Sequence, residues 1–493
     1  MKTLIQGGYV VAFNGAGHEI LVDGCVVYEG SRIVYAGFPG AAECPPADRV
    51  IHAPGRLISP GLINLHCIAN IDLQPLRIDV GSGGFGRSRA WFESGQDIWD
   101  EEGFRTSARY SVAALLRHGS TTYCNVTTMA TKRYDDPPVE PYALAEATVE
   151  LGARGYVAHN YHDRSGCTGP DGARNAIHDR AAGQKGLQRA VSLIETVRGW
   201  NESRLAGFLF PYTSDSCSDD LFKESAAAAR DLKVVVRSHF AQYIQETLNT
   251  LESRGLTPVA RLAELGVLGP ELTLTHAIYL RGHPQVGGNL QDDLQLLVDS
   301  GTSVAHCPVV FVRGGVLLHS FQRYLDGGVN LALGTDTVPP DMLGEMRMAS
   351  VLSKVADQDR ESGSAAAVFN AATLGGARAL GRDDLGRLAP GACADIAIFN
   401  LRALHVGVVD CPIKALVHYA GGADTETVIV DGRTVVEEGR VVGICAEELL
   451  AAGDAAWNTY KAGLVERDPA ASPADELYPP AFALRRQGDA PAC

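Results

Sequence analysis

Residues 57–66, Leu57-Ile58-Ser59-Pro60-Gly61-Leu62-Ile63-Asn64-Leu65-His66, form a short apolar run that closes on a histidine. A run of this kind reads as a strand buried on both faces, as in a parallel sheet. Seven further runs repeat it: Thr121 to Val126, Gly155 to Asn160, Leu205 to Tyr212, Lys233 to His239, Leu272 to His276, Thr302 to His306 and Val329 to Asp336. Amphipathic stretches fall between them, at Phe104 to His118, Tyr142 to Leu151, Leu187 to Gly199, Leu221 to Leu232 and Leu290 to Ser300. Such alternation predicts an α/β chain built on a (β/α)8 TIM barrel, placed at residues 58–389.

Working outward, both flanks carry β-branched runs broken by Asp-Gly or Gly turns, from Val22 to Gly37 and from Val428 to Val442. Each reads as hairpins too small to stand alone. They predict one composite β-sandwich domain from residues 1–57 and 390–445, with 446–493 left as a helical or extended tail.

The 493 residues include 43 Lys+Arg against 58 Asp+Glu, a net charge of −15. That balance argues against nucleic acid or an anionic membrane as partner, since either would add repulsion. Met1 to Ala16 is too interrupted, by Gln6, Gly7 and Gly8, for a signal-peptide core. The expectation is a soluble, cytoplasmic protein. Eleven cysteines without C-x-x-C spacing argue against a disulfide framework or a structural zinc site.

Four of the eight strands end in histidine, at His66, His239, His276 and His306, and a fifth ends in Asp336. In a barrel these ends converge on one mouth, where imidazole and carboxylate suit a divalent metal or acid–base work. Ile68, Val310, Phe311 and Val312 suggest an apolar pocket wall, and Arg313 could meet an anionic or carbonyl group. The stretch Val80 to Arg87 reads as a loop over the mouth, with Trp91, Phe92 and Trp99 as aromatic contacts.

Five motifs, Pro60-Gly61-Leu62-Ile63-Asn64-Leu65-His66, Ser238-His239-Phe240-Ala241-Gln242, Thr275-His276-Ala277, Val304-Ala305-His306-Cys307-Pro308 and Leu333-Gly334-Thr335-Asp336, resemble in order those of the amidohydrolase superfamily. The branch they are most similar to is the chlorohydrolase and cytosine-deaminase-like group, which includes triazine hydrolases and guanine deaminases. The closing Leu385 to Phe399 segment resembles that group's return into its β domain. The resemblance implies a mononuclear zinc or iron centre that activates water against an electron-poor ring carbon, expelling ammonia, an amine or chloride. It also implies a small-molecule substrate and a homodimer.

Two positions depart from the pattern. The resemblance implies a second histidine two residues after His66, where Ile68 stands, and a glutamate three residues after His239, where Gln242 stands. His66, His239 and Asp336 remain as a possible two-His, one-carboxylate metal set. The cofactor expectation is therefore none or a single divalent metal such as zinc, with the metal-free state preferred. His239, His276, Asp336, His66 and Gln242 are the candidate catalytic residues. Ile68, His306, Phe311, Arg313, Trp91 and Trp99 are the candidate substrate contacts. The leading expectation is metal-independent acid–base chemistry on a small cyclic, nitrogen-containing substrate, such as elimination of HCl or an amine. The alternatives are a zinc-dependent hydrolytic deaminase or dechlorinase with a reduced ligand set, and a non-catalytic ligand-binding pseudoenzyme.

Overall fold

The computed structural model describes residues 1–69, 98–127, 139–168, 174–467, 472–477, 479–482 and 484. The run at 57–66 is two strands rather than one. Arg56–Pro60 joins a seven-stranded mixed sheet, whereas Leu62–Cys67 opens the parallel strands. The break falls at Gly61. Its N–H donates to the Asp395 carbonyl at 2.9 Å, and a Cβ there would come within 2.0 Å of the Thr121 hydroxyl oxygen. Only glycine lets the chain cross so close to the next strand.

Eight strands of the described residues carry the site in two parallel sets: β1 (Leu62–Cys67), β2 (Ser120–Val126), β3 (Arg154–Ala158), β4 (Leu205–Gly207), β5 (Val236–Phe240), β6 (Leu272–His276), β7 (Ser303–His306) and β8 (Leu331–Leu333). They pair as two four-stranded sheets, β4-β3-β2-β1 and β5-β6-β7-β8, where one closed sheet was expected. Isolated bridges join the edges: Leu209 with Val236 and Thr213 with His239 at one seam, Cys67 with Asp336 at the other. The first seam is thin because β4 is only three residues long and continues into Phe210–Pro211, where proline has no N–H to give a ladder.

Helices lie between these strands, among them Glu101–Arg117, Val139–Leu151, Arg180–Gly199, Asp219–Leu232 and Leu290–Ser300. Asp100 caps the first by accepting from the Gly103 N–H, and Glu101 and Glu102 sit in its first turn, where acidic groups favour the helix dipole. Among the described residues no helix is long and apolar enough to cross a membrane.

The N-terminal and C-terminal strands share one sheet. Ile396–Asn400 lies between Arg56–Pro60 and Thr425–Val430, which continues into Arg433–Glu437. A second sheet of four strands stacks on it through Ile5, Val26, Ile33, Ile58, Ile396, Ile398 and Ile429. The tail forms the helix Ala446–Arg467 against Glu101–Arg117.

A buried ion pair ties these sheets to the parallel strands. Arg154 on β3 donates from Nε to Asp395 at 2.7 Å and from Nη2 to Asp395 at 3.2 Å and Asp431 at 3.0 Å. Removing one partner strands a charge in the interior, a loss of about 3–5 kcal/mol. Asp395→Ala is therefore expected to lower the urea midpoint strongly. Surface pairs such as Arg109 with Glu150 should be replaceable with little change.

Candidate functional site

His66 is the penultimate residue of β1, His239 lies on β5, His276 ends β6, and Asp336 follows β8. All four are buried, and one donor atom of each lies within 4.8 Å of the others. His66 Nε2 stands 3.1 Å from His239 Nε2 and 3.0 Å from Asp336 Oδ1; Asp336 Oδ1 is 3.9 Å from His239 Nε2 and 4.0 Å from His276 Nε2. The His239 and His276 rings are parallel, their centroids 5.3 Å apart.

The backbone at these strand ends is held in an unusual state. Ala241, His276, Ala277 and Asp336 have φ of 45°, 79°, 46° and 59°. Left-handed residues other than glycine cost of order 1–3 kcal/mol each and persist only where the surroundings enforce them. At Asp336 the enforcement is visible. Its N–H donates to the His66 carbonyl at 2.8 Å, while Asn64 and Thr335 exchange bonds of 2.8 and 3.1 Å just below.

Burial lowers the pKa of the four strand-end histidines. His66 is pushed down to about 3 by burial and then by the Arg237 charge; His239 to about 3 by burial and His66, against a smaller opposing effect of Asp336; His306 to about 3 by burial. His276 lies well below its ordinary value for the same first reason. All four are neutral at pH 7, the form in which imidazole binds metal. His239 Nδ1 donates to the Tyr212 carbonyl at 3.0 Å, which turns its Nε2 lone pair toward the other donors. His66 Nδ1 and both nitrogens of His276 are buried without hydrogen-bond partners. The donor set therefore fits one divalent cation.

The other expected site residues divide. Phe311 packs edge-on against His276, with ring centroids 4.5 Å apart. Ile68 is 4% exposed, in an apolar cluster with Phe208 and Phe210. His306 is buried beside Phe321. Arg313, expected to meet an anionic or carbonyl group of the substrate, donates to the Val338 and Val309 carbonyls at 2.8 and 3.2 Å and the Thr337 hydroxyl at 3.2 Å, so it buttresses the loop after Asp336. Trp99, expected as a substrate contact, anchors the C-terminal helix: its indole donates to the Ala456 carbonyl at 2.8 Å and its ring packs on Phe104 and Tyr460. Trp91 and the Val80 to Arg87 stretch lie outside the described residues.

Sequence reading missed four contributors. Phe210 and Tyr212 present ring edges to His239 at 5.0 and 5.1 Å. Glu246, buried and shifted well above the usual carboxylate range by burial and Asp215, accepts from the Ala241 and Gln242 N–H groups at 2.8 and 3.3 Å and from the Ser214 hydroxyl. Gln242 thus follows His239 in a loop clamped from behind. Glu345, likewise raised by burial, accepts from the Val309 N–H at 3.0 Å. No sequence spacing marks these glutamates as site residues, because their partners are backbone groups of loops.

With this geometry in hand, comparison with known proteins is specific. Residues 57–435 match the model of the Amidohydrolase family, and the chain belongs to that family. It is 30% identical over 446 residues to a 5-methylthioadenosine/S-adenosylhomocysteine deaminase of Thermococcus kodakarensis, covering 88% of this chain and 94% of that protein. It is also 30% identical over 434 residues to a 5'-deoxyadenosine deaminase of Methanothermobacter thermautotrophicus, covering 85% and 90%. Among solved structures, an adenosine deaminase from Xanthomonas campestris with bound zinc superposes with a TM-score of 0.77 at 24% identity, covering 93% of this chain and 98% of that one. An atrazine chlorohydrolase from Arthrobacter aurescens complexed with zinc gives 0.75 at 23% identity, covering 92% and 100%. The expected elimination chemistry and the preference for a metal-free site find no support here. The relatives are named as deaminases and chlorohydrolases, and the donors converge as a metal requires.

The depressed histidines set a pH dependence of stability. Between about pH 6.5 and about pH 3 the unfolded chain binds protons that folded His66, His239 and His306 do not, so folding weakens as pH falls through that window. Each contributes up to about 1.4 kcal/mol per pH unit within it. Urea midpoints of metal-free protein between pH 7 and pH 4 should fall steeply, and His306→Gln should flatten that slope.

Proposed function

We propose that this chain is a metal-dependent hydrolase that removes an exocyclic amine, or a halide in its place, from a nitrogen heterocycle such as a purine nucleoside. The convergence of His66, His239 and Asp336 on one point, with His239 oriented by the Tyr212 carbonyl, carries the reading. The 30% identity to nucleoside deaminases over most of both chains supports the substrate class. The same reading takes the eight ring-ordered strands as a closed (β/α)8 barrel over 58–389, beside a composite β-sandwich domain.

His66, His239 and Asp336 would hold the metal, which supplies the Lewis acidity that makes water nucleophilic at neutral pH. His276, neutral and with both nitrogens unpartnered, is placed to exchange a proton with the heterocycle or leaving group. Gln242 cannot carry a proton, so its amide serves as a hydrogen-bonding positioner in the loop that Glu246 secures. Phe311, Phe210 and Tyr212 supply aromatic edges around the imidazoles, suited to a flat ring and to excluding water.

The test is ammonia or chloride release across a panel of purine nucleosides, free bases and chlorinated triazines. Release should require zinc, vanish on chelation and return on readdition. Asp336→Asn and His276→Ala should each lower kcat/KM by about 10²-fold or more. An elimination product formed at full rate by metal-free protein would overturn the reading.

A further inference from the structure

Arg237 is fully buried and among the largest wholly enclosed side chains of the molecule. It precedes His239 by two residues on β5, and side chains two apart on a strand share a face, so the guanidinium lies on the same interior side as the donor cluster. Among the described residues no carboxylate or carbonyl bonds its three nitrogens, and the polar contact they have is the Cys124 thiol. The Phe208 ring lies 5.1 Å from the guanidinium carbon, and the Cys124 thiol is its polar neighbour. Thr273, paired with Arg237 across the sheet, and Thr275, paired with His239, also leave their hydroxyls without partners.

A guanidinium stays charged in proteins, so this is a permanent positive charge inside the strands. It stands two residues before His239 on the same strand and face, so its charge lies beneath the donors. A divalent ion held by these donors would stand near the Arg237 cation in a poorly screened interior, where repulsion between charges is strong. Ile68 meanwhile adds an apolar, buried side chain and no donor beside His66.

We propose that Arg237 is a fixed internal cation that weakens the hold of His66, His239 and Asp336 on a divalent metal, so that metal loading of this chain is set by the charge beneath the donors as well as by the donors. The proposal rests on the reading above that those residues bind metal.

Zinc affinity of the full, metal-stripped chain, measured by competition with a chromophoric chelator, tests it. Arg237→Met and Arg237→Gln should bind zinc at least about tenfold more tightly than wild type, whereas Arg237→Lys, which keeps the charge, should stay within about threefold. The difference should persist at high salt, because an enclosed charge is little screened. Folded neutral variants that bind zinc no more tightly than wild type would overturn the proposal. So would neutral variants that stay unfolded with saturating zinc, since tighter binding should stabilise the native state. His239→Ala separates this failure from that of the underlying reading. If it loses zinc while the Arg237 variants are unchanged, the metal site stands and the proposal falls; if it binds zinc like wild type, the metal assignment itself is wrong.

Discussion

The seam between β8 and β1 is the constraint on which the site depends. The Asp336 N–H to His66 carbonyl bond brings together two residues 270 positions apart, and their side chains then meet at 3.0 Å. Gly334 makes the approach possible: a Cβ there would stand 2.7 Å from the His66 nitrogen and 2.8 Å from its oxygen. Asn64 locks the same crossing, its amide donating to the Thr335 hydroxyl and accepting from the Thr335 backbone N–H. Without this close contact the first and last strands would splay, and the carboxylate would leave the imidazoles.

From that seam the remaining features follow in order. Packing strand ends tightly enough to gather three imidazoles excludes water, and desolvation drives those imidazoles to the neutral state. Neutral, buried and only partly bonded, they favour a cation that would complete their coordination. The left-handed turns at Ala241, His276 and Asp336 are the backbone counterpart. Glu246 and Glu345, both buried, hold the neighbouring loops by accepting backbone N–H groups. Arg237, two residues before His239 on the same strand, is an enclosed cation on the donor side.

Much of the fold was legible because burial writes itself into composition. Runs such as Leu272 to His276 are apolar along their length, and observed strand bounds there match the run. The division of 57–66 into two strands was not legible, because both halves are equally apolar and only the Thr121 side chain opposite Gly61 shows where the chain must turn. The protein contacts of Trp99 and Arg313 were not legible for a related reason. An aromatic or a guanidinium near a strand end looks the same whether it faces a ligand, a helix or a carbonyl.

The sequence by itself determined that histidines and an aspartate would stand at successive strand ends, and that Ile68 and Gln242 replace polar groups their family resemblance implies. Those are properties of spacing and residue type, which survive without coordinates. Only the tertiary structure decided that the donor atoms lie within 4.8 Å of one another, that Tyr212 orients His239 through a backbone carbonyl, and that Arg237 is enclosed with no carboxylate partner among the described residues. Each of those rests on contacts between strands or loops that composition and periodicity do not encode, and protonation in turn depends on the burial those contacts create.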